Sequence, residues 1–385
     1  MDRDFDLIVY GATGFTGQLV ADYVARTYPA DLRWALAGRS LTRLQEVRAS
    51  VGAPADLPLL TANADDPASL RALCERTRVV ISTVGPYQLY GSDLVAACVA
   101  TGTAYVDLCG EPAWMRAMID RHEAEAKASG ARIVFSCGFD SVPFDLGVLT
   151  LQEAAMAKFG APAPRVKGRV RSMKGGFSGG TAASLKETVA AAARNPALIG
   201  LLTDPFALAP GHKGPHQPGG LLPEYDSTIE AWVAPFIMAT INTKNVHRTN
   251  FLLGQKWGDL VYDEMVVAGL GDIGRAAAEA LAKINPLSGD KGPKPGEGPS
   301  KEEREAGHFD LLFVGLMPDG GRCEAVVTGE MDPGYGCTSK MLAESALCLL
   351  RDVEGDGGIW TPGALMGVPL RERLRANAGM TFSAG

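Results

Sequence analysis

Leu7-Ile8-Val9-Tyr10-Gly11-Ala12-Thr13-Gly14-Phe15-Thr16-Gly17 is the stretch that decides the fold of this chain. Its first four residues predict a buried strand, and a helical pattern runs on to about Arg26. Between them Gly11, Gly14 and Gly17 stand at GxxGxxG spacing. Glycines there permit a tight turn and let backbone N–H groups approach a pyrophosphate at the helix N-terminus. The strand before and the helix after supply the context such a site requires. Thr13, Phe15 and Thr16 belong to the same loop and join the candidate cofactor contacts. A glycine turn used only for packing is the plainer alternative.

Outward from this stretch, short β-rich runs alternate with helical segments. Trp34–Ala37, Leu57–Leu60, Val79–Val84, Tyr105–Leu108 and Arg132–Phe135 predict five more strands. Pro58 argues against a central place for the third. Six strands separated by helices predict a parallel, doubly wound sheet of Rossmann type, with ligands beyond the carboxyl ends of its strands.

The end of the second strand discriminates between nicotinamide cofactors. An NAD binder places Asp or Glu there, about 20 residues beyond the glycine loop, on the ribose diol. Here Ala37-Gly38-Arg39-Ser40 stands instead. A guanidinium fork and a helix-start hydroxyl suit an adenosine 2′-phosphate, so NADP(H) is expected; a solvated Arg39 is the alternative. Asp65, after the third strand, meets the adenine side or caps the helix beginning at Pro67. Thr83, Gly85, Pro86 and Tyr87, after the fourth, are expected along the ribose and nicotinamide.

The 385 residues suggest two domains at roughly 150 residues each, and 46% hydrophobic with 21% charged residues is ordinary for a globular chain. A net charge of -7 argues against a general nucleic-acid binder. The opening Met1-Asp2-Arg3-Asp4 lacks the basic start and apolar core of a secretory signal, and no apolar run is long enough to span a bilayer. Seven cysteines without a CxxC pair read as reduced thiols, which predicts a cytoplasmic protein. Neither His212 and His216 nor any other group suggests a metal site.

Beyond about Arg165 the pattern changes. Val166–Met173 predicts a strand, then a dense glycine loop from Lys174 to Thr181 feeds an Ala-rich helix, Ala182–Arg194. The loop is a candidate anion or carbonyl site, or a flexible hairpin. Residues 203–225 predict a long loop, and the cluster Asn242–Asn250, with Lys244, His247 and Arg248, predicts a solvated helix surface that could also meet a phosphate or carboxylate. Gly274–Ile284 predicts another helix, and Pro286–Gly307 reads as a linker. Phe309–Gly315 and Arg322–Gly329 predict a hairpin, Met341–Arg351 an amphipathic helix, and Leu370–Leu374 a closing helix. The expected organisation is a Rossmann domain over 1–145 and an α/β substrate and dimerisation domain with a mixed sheet over 146–340. Helices over 341–385 are expected to pack back on the first domain, and a homodimer is one open arrangement.

The chain resembles the saccharopine dehydrogenase-like oxidoreductases, and within them the trans-acting enoyl reductases that serve mycobacterial phthiocerol lipid synthesis. The resemblance rests on Gly11–Gly17, Ala37–Ser40, Thr83–Tyr87 with Tyr90-Gly91, and Cys137-Gly138-Phe139-Asp140-Ser141-Val142-Pro143. Ser178–Thr181, Asn242-Thr243, Lys294–Ser300 and Thr361-Pro362 continue it. Gly269, Gly271, Asp272 and Gly274 interrupt the apolar helix that some lipid-linked relatives carry, so stable membrane insertion is not expected.

What the resemblance implies is NADPH-dependent reduction of a C=C bond in an α,β-unsaturated acyl, lipid-like or ketone substrate. Preorganised donors must hold the carbonyl oxygen, and an acid must protonate the α-carbon. Tyr87 is the first candidate acid and Tyr90 the second, with packing or cofactor contact as the alternative for each. Lys174 or the amides of Gly176–Gly180 are candidates for the oxygen. Asp107, Glu111 and Asp140 are expected to order loops. Two other readings stay open: imine reduction to a secondary amine, with Arg169, Arg171 and Lys174 gripping carboxylates, and an NADPH-binding subunit without turnover.

Overall fold

Val9, Leu36, Ile81 and Val106 are all fully buried, because the strands that carry them are covered on both faces by helices. The computed structural model describes residues 3–28, 32–175, 179–284 and 297–385, with the side chains at 179–182 and 185 outside that description. Its first sheet is built from β1 (Phe5–Tyr10), β2 (Trp34–Gly38), β3 (Leu59–Thr61), β4 (Thr77–Ser82), β5 (Ala104–Asp107) and β6 (Arg132–Val134). Between them run α1 (Phe15–Thr27), α2 (Leu41–Ser50), α3 (Pro67–Glu75), α4 (Tyr87–Tyr90), α5 (Ser92–Thr101) and α6 (Pro112–Ser129).

The chain then continues through α7 (Val142–Phe159), β7 (Arg165–Lys174), α8 (Gly179–Arg194), α9 (Ala197–Thr203), β8 (Glu224–Asp226) and β9 (Ala231–Pro235). Next come α10 (Ala239–Leu252), β10 (Val261–Gly269), α11 (Gly271–Leu281), α12 (Lys301–Glu305), β11 (His308–Leu316) and β12 (Arg322–Glu330). A π-helical turn, Pro333–Cys337, leads into α13 (Thr338–Arg351). The chain closes with β13 (Gly358–Trp360), α14 (Pro362–Leu365), α15 (Gly367–Asn377) and β14 (Met380–Ala384).

The first sheet is parallel in the order β13-β6-β5-β4-β1-β2-β3. β3 lies at its edge, and Pro58, which has no N–H to give, stays just outside the strand. The second sheet has the order β14-β12-β11-β7-β10-β9-β8 and is mixed, since β7 and β10 run parallel while the other neighbours are antiparallel. α7 crosses from one sheet to the other. A Cβ on its Gly147 would lie 2.3 Å from the Phe313 ring, so the glycine sets how closely helix and sheet approach.

Three expectations need correction. The helix expected over Leu370–Leu374 forms as α15, but it does not end the chain: β13 pairs with β6 and β14 with β12, so each sheet gains a strand from the C-terminus. Two such short strands carry too little periodicity to be seen without their partners. The stretch 286–307 is not all linker, because Lys301–Glu305 forms α12, closed by a capping box between Ser300 and Glu303.

The third correction is α10, which is buried, not solvated. Asn242, Lys244, Asn245, His247, Arg248, Thr249 and Asn250 are each 5% exposed or less. Several find internal partners. Asn242 donates to Glu264 at 2.8 Å, and Arg248 donates to the Leu208 and Ile359 carbonyls at 2.5 Å each. Thr249 and Thr361 share a 2.6 Å bond. Buried polar groups are tolerated when bonded, and here they tie α10 to the returning C-terminus.

Candidate functional site

The glycine turn is built by close approach. Gly11 has φ +86°, and a Cβ there would lie 2.6 Å from the Thr83 hydroxyl oxygen. A Cβ on Gly17 would lie 2.2 Å from the Gly11 carbonyl, so α1 begins directly against the turn. Thr83 braces it, donating to the Tyr10 and Gly11 carbonyls at 3.2 and 3.1 Å. Gly14 donates to Gly11 at 2.9 Å, whereas the amides of Thr13, Phe15, Thr16 and Gly17 have no acceptor among the described residues. No acid stands in the first turn of α1. Free amides at an uncapped, acid-free helix N-terminus fit a dinucleotide's pyrophosphate.

At the end of β2, Arg39 is exposed and has no hydrogen-bond or ion-pair partner among the described residues. Ser40 caps α2, accepting from the Arg43 amide at 3.4 Å. The helix after β3 is capped by Asp66, not Asp65: Asp66 accepts from Ala68 and Ser69 at 3.1 and 3.3 Å. Asp65 is left exposed at the strand end. Burial pushes the Tyr10 hydroxyl up to about 12, while Arg39 draws it down and Asp65 pushes it up. Arg39 and Asp65 therefore flank Tyr10, forming a charged rim open to solvent.

Glu111 organises the turn that follows β4. Its carboxylate accepts from the Tyr87 and Gln88 amides at 2.9 Å each, holding the start of α4 after the cis Gly85–Pro86 peptide. It also accepts from the Ser184 hydroxyl at 2.8 Å, which brings α8 over the turn. Pro112 behind it marked a helix start, but nothing in the sequence linked Glu111 to residues 24 and 73 positions away. Asp107 accepts from the Cys109 and Ser136 amides and the Tyr105 hydroxyl, all at 2.9 Å. Burial nevertheless pushes its carboxyl up to about 7. Burial, then Asp107, also drive the Cys109 and Cys137 thiols well above their ordinary value, which leaves them unreactive.

Tyr87 faces the core. Its hydroxyl donates to the Ser82 carbonyl at 3.1 Å and accepts from the Leu108 amide at 3.4 Å, and its ring lies 5.5 Å from Trp114. Burial, then the neighbouring Asp107 and Cys109, push its pKa well above the ordinary value, which makes it a weaker acid. The hydroxyl proton is thus committed to the Ser82 carbonyl in this structure. Tyr90 is 40% exposed, and Lys174 is exposed at the end of β7. Gly176, Phe177 and Ser178 of the glycine loop lie outside the described residues, as do the side chain of Thr181 and residues Lys294–Gly296.

Asp140 differs from the other acids. On the turn between β6 and α7, the preceding Phe139 ring is anchored against Phe144 and Phe309, 5.6 and 5.0 Å away. The Phe139 amide donates to Thr338 at 3.0 Å. Asp140 itself is half-buried, without a hydrogen-bond partner among the described residues, and burial pushes it up to about 7. Among the described residues no cluster of candidate metal ligands occurs, and no helix is long and apolar enough to cross a membrane.

The saccharopine dehydrogenase NADP binding domain, as a family, matches residues 7–134. A Mycobacterium tuberculosis H37Rv protein named as a candidate trans-acting enoyl reductase is 42% identical, over 99% of this chain and 97% of its own. A trans-acting enoyl reductase of Mycobacterium leprae is 36% identical, over 97% of this chain and 96% of its own. In three dimensions the apo saccharopine dehydrogenase (L-Glu forming) of Saccharomyces cerevisiae covers 99% of both chains at a TM-score of 0.56. At 12% identity that likeness concerns the fold.

Proposed function

The chain belongs to the saccharopine dehydrogenase-like oxidoreductases, in their trans-acting enoyl reductase branch, and is an NADP-dependent enzyme; on that premise we propose that it reduces the C=C bond of an α,β-unsaturated acyl, lipid-like or ketone substrate. One observation carries this reading over imine reduction. Arg169 is 1% exposed and pairs with Asp226 and Asp263 at 2.7 and 2.8 Å, and Arg171 pairs with Asp310 at 2.6 Å. Arg169 is neutralised inside the sheet and the exposed Arg171 is already ion-paired, so of the three cations that could grip an amino acid's carboxylates only Lys174 is left.

The cofactor is proposed to lie on Gly11, Thr13, Gly14, Phe15, Thr16 and Gly17, with Arg39, Ser40 and Asp65 at its adenosine end. Thr83, Gly85 and Pro86 follow along the ribose, and Tyr87 anchors that turn from within. When bound, NADPH supplies the hydride that the substrate's β-carbon accepts. The chain's own part is to steady the carbonyl oxygen and to protonate the α-carbon. Tyr90 and Lys174, both exposed, are proposed to hold the oxygen. Asp140 is proposed as the proton donor: its carboxyl has no hydrogen-bond partner among the described residues and, pushed up to about 7, is substantially protonated at neutral pH.

The test follows NADPH oxidation on enoyl thioesters, enones and imines in parallel. Turnover of the unsaturated substrates alone is expected. Asp140→Asn should lower kcat by about 100-fold or more. In the unsubstituted enzyme kcat should fall as pH rises through about 7, since the acid form is the competent one. Turnover of imines alone would overturn the reading, and cofactor binding with no turnover would favour a non-catalytic subunit.

A further inference from the structure

We infer that the segment Gly298–Arg304 of the second domain is a working part of the dinucleotide site, a clasp that seats Phe15 and thereby positions the amides meeting the cofactor's pyrophosphate. The inference rests on the proposed placement of that pyrophosphate at Gly11–Gly17.

Three groups close on the Phe15 ring. A Cβ on Gly298 would lie 2.4 to 2.7 Å from three of its carbons, so only a residue without a side chain lets the backbone lie against it. The Arg304 guanidinium stands 5.6 Å from the ring centroid. The Tyr335 ring meets it edge-on at 5.2 Å and 76°. Phe15 is the first residue of α1, and its own amide is one of those without an acceptor. Moving the ring therefore moves a group that faces the phosphates.

The clasp is rigidly mounted. Arg304 donates to the Pro299 carbonyl at 2.6 Å, folding the segment back on itself. Ser300 and Glu303 cap α12 reciprocally at 2.8 and 3.1 Å. The Arg304 carbonyl accepts from the Asp332 amide at 2.8 Å, and a Cβ on Gly307 would lie 2.3 Å from the Asp332 backbone. Asp332 in turn accepts from Tyr335 and Gly336 at 2.9 and 2.7 Å. One hydrogen-bonded unit thus carries both Arg304 and Tyr335 to the same ring. The remaining guanidinium nitrogens of Arg304 have no acceptor among the described residues, so a cation faces the acid-free end of α1. A pyrophosphate's negative charge is the complement of that arrangement.

The experiment compares two ligands on the full-length chain by titration calorimetry. NADPH engages the whole site, whereas adenosine 2′-monophosphate carries the 2′-phosphate and base without the pyrophosphate. Arg304→Ala should raise the NADPH Kd about 3- to 10-fold, from loss of the stacked cation, and leave adenosine 2′-monophosphate within about twofold. Arg304→Lys should recover part of the loss. Gly298→Val should raise the NADPH Kd more than tenfold, roughly, because the ring must give way. Should Gly298→Val fail to fold, the two Arg304 variants, checked by thermal melting, decide the matter. Unchanged NADPH affinity in folded Arg304→Ala, or equal losses for both ligands, overturns the inference. Turnover does not enter, so failure of the C=C reading leaves the result interpretable.

Discussion

Replacing Arg39 by alanine isolates the cofactor claim, because among the described residues no hydrogen bond or ion pair uses that side chain. It is also exposed, so the melting temperature without ligand should not move. A hydrogen bond to a charged group contributes about 1.5–3 kcal/mol, and 1.4 kcal/mol is tenfold in affinity. The NADPH Kd should therefore rise roughly 10- to 150-fold, while the NADH Kd stays within about twofold. Asp65 beside the same rim biases the loss toward the upper end, since its carboxylate repels a 2′-phosphate once the guanidinium is gone. Arg39→Lys keeps the charge and loses the fork, and should fall between. The assay is quenching of protein fluorescence at low and high salt, with the NADPH penalty shrinking as salt rises. A parallel loss for NADH, or no loss at all, would refute the assignment and place the 2′-phosphate elsewhere.

Three further outcomes follow from the geometry. Tyr87→Phe should cost about 1 kcal/mol in a urea titration, since the Ser82 carbonyl and Leu108 amide lose their partner. Its kcat should stay within about threefold of the unsubstituted value, and a drop of about 100-fold would reinstate Tyr87 as proton donor. Gly363→Ala should destabilise by about 1–3 kcal/mol, because its Cβ would press on Asp145 Oδ2 at 2.6 Å; no change in the urea midpoint would contradict that packing. Glu264→Gln concerns pH. Burial pushes the Glu264 carboxyl from 4.5 to about 8, so the folded chain holds a proton that the unfolded chain releases. Its stabilising contribution is present below about 4.5 and lost as pH rises through about 8. Between pH 6 and 9 the variant's urea midpoint should fall less than that of the unsubstituted chain, and identical slopes would refute the linkage.

Much of the first domain was legible because its signals are local. Leu7–Tyr10 and Val79–Ser82 are strands buried on both faces, so hydrophobic runs mark them without knowledge of their neighbours. The glycines of the turn are likewise demanded by contacts a few residues away, as Gly17 against Gly11 shows. Asp66 displaced Asp65 as a cap because adjacent acids offer the same chemistry and only backbone direction separates them. α10 misled for a different reason. A run of Asn, Lys, His and Arg reads as solvated until Glu264, Leu208 and Ile359, all distant in sequence, arrive as partners.

By itself, then, the sequence determined a parallel dinucleotide sheet, an arginine where an NAD binder keeps an acid, and the branch of oxidoreductases to which the chain belongs. Tertiary structure decided which side chains are free to act. Tyr87, Asp107 and Asp140 all stand at or just beyond the carboxyl ends of strands of one sheet, and each could donate a proton by residue type. Folding gives the first a carbonyl and an amide, the second two amides and a hydroxyl, and the third no partner among the described residues. It also laid Gly298 and Arg304 on Phe15, nearly three hundred residues away. The physical reason is common to both cases. A residue's chemistry depends on its desolvation and hydrogen-bond partners, and those are supplied by whatever part of the chain the packing brings alongside.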